Sequence, residues 1–132
     1  MRVALFLAIG IALTAADLPS STARTADAQA KLDKYLGGRV PGEPANCVKS
    51  GATNSPIGID DHTILFKDGP RIWRNDLQAG FQCGDLGGRK SLVSRNVGIR
   101  VCKGETVNIV DMTDGSPVGG CVLGQFVPYT RP

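Results

Sequence analysis

Two short apolar-rich runs, Thr63–Phe66 and Arg71–Asn75, flank the stretch Lys67–Asp68–Gly69–Pro70. An Asp-Gly pair between two such runs is a strong local hairpin signal, because glycine reaches loop backbone angles closed to other residues. The stretch from Gly58 to Asn75 therefore predicts a β-hairpin, preceded by a polar turn at Asp60–Asp61–His62. With Asp68 and Gly69 as the loop, Lys67 faces Pro70, Phe66 faces Arg71, Leu65 faces Ile72 and Ile64 faces Trp73. Side chains alternate along a strand, so Leu65 and Ile72 share one face. Ile64, Phe66 and Trp73 share the other, with Arg71 at its rim. Both faces are apolar, which suits a central hairpin covered on both sides or the wall of a small barrel leaning on a helix. Pro70 has no N–H to give a ladder and fits as the first residue of its strand.

The N-terminus reads differently. Arg2 precedes an uncharged run, Val3 to Ala16, shorter than the ~20 apolar residues a membrane-spanning helix needs. A positive start, a short apolar core and small residues beyond it describe a secretory leader. Its expected extent is 1–23, but four pairs of small residues satisfy the cleavage rule: Thr14 with Ala16, Ser21 with Ala23, Ala26 with Ala28, and Ala28 with Ala30. The cut therefore falls anywhere from 16 to 30. What remains is about a hundred residues, enough for one domain.

All four cysteines, Cys47, Cys83, Cys102 and Cys121, lie beyond the leader. An even count in an exported chain predicts two disulfides. Structural zinc ligands usually come in close pairs, and these four are widely spaced. Three pairings are open. The nested one, Cys47 with Cys121 and Cys83 with Cys102, would tie the first strand to the last and is the expectation.

Taken in order, Asp27–Leu36 predicts a short helix capped by Asp27 and stopped at Gly37–Gly38, with Leu32, Tyr35 and Leu36 on one stripe. Residues 27–45 thus form helix and linker, the two prolines of Val40–Pro44 making a stiff connector. The disulfide-stapled β domain spans 46–132. Cys47–Val48 begins the sheet, Gln78–Arg89 is a glycine-rich loop, and strands are expected near Leu92–Val93, Ile99–Val101 and Thr106–Val110. Asp114–Pro117 turns the chain into a closing strand, Cys121–Val127. The fold class is mainly β: a small antiparallel barrel or sandwich-like domain with a short N-terminal helix and a cleaved signal peptide.

These residues, taken together, resemble a family of small exported proteins of Gram-negative bacteria, uncharacterised and classed as a domain of unknown function. The resemblance runs from about Asn46 to Pro128. It rests on Cys47, on Ile59–Asp60–Asp61–x–Thr63–Ile64–Leu65–Phe66, on Gly69, and on Trp73 followed by Asn75 and Leu77. Cys83, Cys102, Gly104–Glu105, Cys121, Leu123–Gly124–x–Phe126 and Pro128 continue it. It implies an exported all-β domain and assigns no activity, ligand or catalytic residue. The lipid anchor of some relatives needs a cysteine close behind the leader, and none stands there.

Net charge is only +3, but between Arg71 and Lys103 seven basic residues face two acidic ones, a local balance of +5. Trp73 with Arg71, Arg74, Arg89 and Lys90 is the candidate binding set, for an anionic protein or envelope polymer. Trp73 also suits a core. Few aromatics and an extracytoplasmic address argue against nucleic acid, and no stable membrane span is expected after leader removal. Asp60, Asp61 and His62 form a weak metal candidate and equally ordinary turn chemistry; no cofactor is expected. Asp111–Asp114–Gly115 lacks the calcium-loop spacing, and Gly87–Gly88–Arg89–Lys90 lacks the helix start of a phosphate cradle. The function expected is a non-catalytic periplasmic or secreted binding or structural module. The alternatives are an inhibitor of an extracytoplasmic hydrolase, inserting Gln78–Arg89, or a small hydrolase using Asp60 and His62.

Overall fold

A computed structural model describes residues 24–94 and 98–132. The expected leader over 1–23, and Arg95 of the basic stretch, lie outside them. The described residues are mainly β, with antiparallel sheets and one α-helix near their N-terminal end. Helix α1 (Ala26–Leu36) is followed by β1 (Val40–Pro41), β2 (Cys47–Lys49) and a 3-10 turn at Ser50–Thr53. Then come β3 (Pro56–Asp60), β4 (Thr63–Asp68), β5 (Arg71–Asp76), β6 (Ala79–Phe81) and β7 (Lys90–Ser94). The chain finishes with β8 (Arg100–Cys102), β9 (Thr106–Asp111), β10 (Pro117–Val122) and β11 (Phe126–Thr130).

The β4–β5 hairpin is central, as its two apolar faces require. It lies inside a five-stranded sheet ordered β1-β11-β5-β4-β3. One face, with Ile59, Leu65 and Ile72, is covered by Ala28, Leu32 and Leu36 of α1. The other carries Ile64, Phe66, Trp73 and Phe126 and meets Val107, Ile109, Cys121 and Leu123. Those last residues come from, or adjoin, a second sheet ordered β6-β10-β9-β7. The layers are thus helix, sheet, sheet. The sheets do not close into a barrel, and a short β2–β8 ribbon with the 3-10 turn adds Val48, Ala52 and Val101 to the inter-sheet core.

The hairpin register differs from expectation. Asp68 pairs with Arg71 and Phe66 with Trp73, so Gly69 and Pro70 form the loop. Gly69 takes φ +58, the left-handed region at the first loop position, which glycine accepts without strain. Each partner moves along by two residues, and because faces alternate with period two, the division of faces survives. The turn at Asp61–His62 is as expected, held by the His62 N–H donating to Asp60 Oδ1 at 2.8 Å.

Other expectations are corrected. The helix cap is Thr25, whose hydroxyl accepts from Ala28 N at 3.2 Å; Asp27 sits in the first turn, where a carboxylate favours the helix dipole. Val40–Pro41 is an edge strand on β11, a position that tolerates proline. Gln78–Arg89 contains β6. The expected closing strand is two strands in different sheets, β10 and β11, joined by a crossing at Leu123–Gly124–Gln125. At that crossing the wholly buried Asn75 amide donates to Gly124 O at 2.9 Å and accepts from Gly124 N at 2.7 Å. A β-carbon on Gly124 would collide with the Asp76 carbonyl oxygen, so the crossing admits only glycine.

The disulfides join Cys47 to Cys102 and Cys83 to Cys121, not the nested pairing. Strand pairing explains the exchange. β2 lies against β8 with Cys47 directly opposite Cys102, and β6 lies along β10 with Gly80 opposite Cys121, bringing Cys83 to it. On the chain-entropy model, loops of these lengths are worth about 4 kcal/mol each.

Asn75→Ala would strip both bonds at the crossing and leave buried backbone groups unpaired. We expect a loss of about 3 kcal/mol in urea unfolding, and a larger one for Gly124→Ala. An unchanged midpoint in Asn75→Ala would show that the crossing is fastened elsewhere.

Candidate functional site

The two-stranded ribbon sorts its residues by face. Val48 and Val101, directly paired, point into the core. The opposite face carries the Cys47–Cys102 disulfide and, two residues along, Lys49 directly opposite Arg100, both exposed. The neighbouring disulfide ties the two strands to each other.

A cleft of about 490 Å³ runs beside the ribbon, lined by Lys49, Ala52, Asp68, Arg71 and Trp73 among others. Trp73 forms its wall rather than its projection: it is 8% exposed, meets Phe126 edge-on at 6.4 Å, and its Nε1–H donates to Asp68 Oδ2 at 3.1 Å. Arg71 lies over the Trp73 ring, 5.0 Å from its centroid, an arrangement favoured by the ring's negative face. The cleft thus presents Lys49 and Arg71, with Arg100 across the ribbon.

The remaining members of the predicted basic set go elsewhere. Arg74 alternates to the helix-side face of β5 and pairs with Asp76 at 3.1 Å. Burial alone would lower its pKa, but the Asp76 carboxylate outweighs that and raises it. Lys90 belongs to the second sheet and pairs with Asp85; Arg89 is beside it and exposed. The basic stretch therefore divides among three places. Residue spacing missed Lys49 and did not set Arg100 apart within the basic stretch; only the β2–β8 pairing brings the two together.

A polar cluster lies at the far end of the hairpin, around a cavity of about 300 Å³. Arg24 Nε donates to Asp60 Oδ2 at 2.9 Å and its Nη2 to Thr63 Oγ1 at 2.6 Å. The hydroxyl of the wholly buried Thr63 donates to Asp76 Oδ1 at 2.9 Å, which also accepts from Arg74. His62 is exposed and borders this cavity, while Asp61 accepts from Gly84 N at 3.4 Å. Asp60 is thus committed to Arg24 and to the His62 backbone, and Asp61 to a different loop. Among the described residues, no three His, Cys, Asp or Glu side chains gather to hold a metal ion. The cluster's chemistry is that of a clamp on Arg24.

A third hollow, of about 360 Å³, opens between the sheets beside Ser50, Thr53, Ser91 and Ser94. Phe66 and Leu123, which line its depth, have no solvent exposure, so it is a notch above the core.

Partial burial would raise the Asp60 pKa, but hydrogen bonds from Arg24 and the His62 N–H, with the charge of Arg24, hold it below the ordinary 3.8. A carboxyl lowered on folding stabilises the fold above that ordinary value and loses its contribution as pH falls through the folded-state value. Asp60→Asn should therefore unfold more readily than wild type at neutral pH and converge with it in acid. A gap undiminished in acid would mean that the carboxylate charge is not what the cluster uses. In comparisons with known proteins, no family model, no curated protein and no solved structure matches this chain.

Proposed function

We propose that this chain is an exported, non-catalytic binding module, periplasmic or secreted, that engages an anionic envelope polymer at the β2–β8 ribbon. Two disulfides mark an oxidising environment outside the cytoplasm. Among the described residues no helix is long and apolar enough to cross a membrane. The observation that carries the reading is Lys49 opposite Arg100 on a crosslinked ribbon, beside Arg71 stacked on Trp73. A polyanion laid across the ribbon meets the positive charge of Lys49, Arg100 and Arg71 and releases its own counterions. The ribbon is preorganised by its disulfide, so little chain entropy is lost on binding. Trp73, as a core residue, supports Arg71 rather than meeting the polymer.

Retention on immobilised dextran sulfate at low salt tests this. Wild type should bind and elute as salt rises, and Lys49→Glu with Arg100→Glu should reduce affinity at least about tenfold, each reversed charge adding roughly 1 kcal/mol or more. Lys90→Glu, on the other sheet, should leave retention nearly unchanged. Absence of salt-dependent retention, or equal retention by the ribbon variant, would overturn the proposal.

One observation favours a second reading, inhibition of an extracytoplasmic hydrolase. Phe81, 64% exposed, stands on the Gln78–Arg89 segment two residues from the buried Cys83–Cys121 crosslink. A rigid loop presenting an aromatic suits an enzyme cleft. Inhibition of a member of a lysozyme and protease panel that Phe81→Ala abolishes would establish it. A panel with every activity intact would remove it.

A further inference from the structure

We propose that the cleft beside the β2–β8 ribbon is a subsite for an acidic sugar, a uronic acid unit of a glycan, and that Asp68 selects it from other anions. The inference rests on the polymer reading above and names the repeating unit of that polymer.

The cleft, at about 490 Å³, falls within the ~300–1,000 Å³ usual for small-molecule sites. Its charged lining comes from two elements. Lys49 stands on β2, while Asp68 and Arg71 close the hairpin, directly opposite each other. Among the described residues, neither Lys49 nor Arg71 enters an ion pair. Both are exposed, and two such cations at one cleft favour an anion.

Asp68 has no place in a site built for negative charge alone. A carboxylate there repels any ligand that carries charge along its whole length, and it can only accept hydrogen bonds. Its position is fixed by Trp73, whose Nε1–H donates to Oδ2 at 3.1 Å. The same indole lies under Arg71, 5.0 Å from the ring centroid. One buried ring thus sets both the acceptor and the cation. The bond from Trp73 occupies one carboxylate oxygen and leaves Oδ1 to accept from a ligand O–H.

The wall adds a third condition. Val48 and Ala52 are buried where they line the cleft, and Cys47 of the outer disulfide borders them. The ligand therefore needs an anion for Lys49 and Arg71, hydroxyl donors for Asp68, and an apolar face for this wall. A uronic acid ring supplies all three: one carboxylate, a rim of O–H groups and a face of C–H bonds. Polyphosphate has the charge without the hydroxyls, and a neutral glucan has the hydroxyls without the charge. A ring is also rigid, so it loses less freedom on entering than an open polyol chain.

The test is calorimetric titration of the purified protein at low salt with polygalacturonate, with polyphosphate at matched charge concentration, and with neutral dextran. Polygalacturonate should bind at least about tenfold more tightly than polyphosphate, and dextran should not bind. Asp68→Asn keeps an oxygen for Trp73 and removes the repulsion. It should bind polyphosphate more tightly than wild type and bring the two affinities within about threefold of each other. Should that variant fail to fold, competition on wild type reads the same choice: monomeric galacturonate should displace polygalacturonate at lower concentration than inorganic phosphate does. Equal affinity for the two polyanions, or a preference that Asp68→Asn leaves intact, would overturn the subsite. Dextran sulfate retention on the same preparation separates the two proposals. Retention without a uronate preference removes only the subsite, and failure to bind any polyanion removes the polymer reading with it.

Discussion

The carboxamide of Asn75 reads the backbone of Gly124 in both directions, and the two sheets depend on that exchange. It sits fully buried where the chain leaves β10 and enters β11. Within three residues the chain must pass from one layer to the other without exposing unpaired backbone groups to an apolar interior, which costs several hydrogen bonds' worth of free energy if it fails. Asn75 supplies the missing donor and acceptor. The glycine supplies the room, because a β-carbon at this position would collide with the Asp76 carbonyl. Phe126, immediately beyond, then meets Phe66 at 6.0 Å and Trp73 edge-on, so the aromatic core forms at the foot of the crossing.

The hairpin's two faces are treated differently. The inter-sheet face is sealed by aliphatic and aromatic packing with a disulfide inside it. The helix face is smaller, and cationic tethers at residues 24, 31 and 39 supplement the stripe of Ala28, Leu32 and Leu36. A short helix with a narrow apolar stripe gains position from such long-range bonds more than it gains energy. The charged ends also fix its direction along the sheet.

Much of this was legible locally. The hairpin, the Asp60–His62 turn, the helix, β9 and the turn after it each carry signals within a few residues. So did the need for cover on both hairpin faces. Features set by partners distant in sequence were not legible. Gly69 and Pro70 displaced Asp68 from the loop because Gly-first loops compete closely with Asp-Gly. The run Cys121–Val127 reads as one strand, and only the Asn75 amide and the close approach at Gly124 reveal a crossing. Arg24, Asp60, Thr63 and Asp76 form one cluster with nothing in their spacing to announce it. Lys49 and Arg100 follow from the disulfide alone: each lies two residues from its cysteine, so an antiparallel Cys47–Cys102 pair sets them opposite each other.

The two crosslinks are not equally sheltered. Cys83 and Cys121 have almost no contact with solvent, whereas Cys47 and Cys102 are half-buried on the outer face of the ribbon. A thiol reagent in solution therefore meets the outer bond first, with the inner one still holding the second sheet together. What it releases is the local pairing of β2 with β8, which carries Lys49 and Arg100 on the same outer face. A falling oxidising power would thus loosen the basic ribbon while the sandwich stays closed, a graded response in which the charged surface yields before the core.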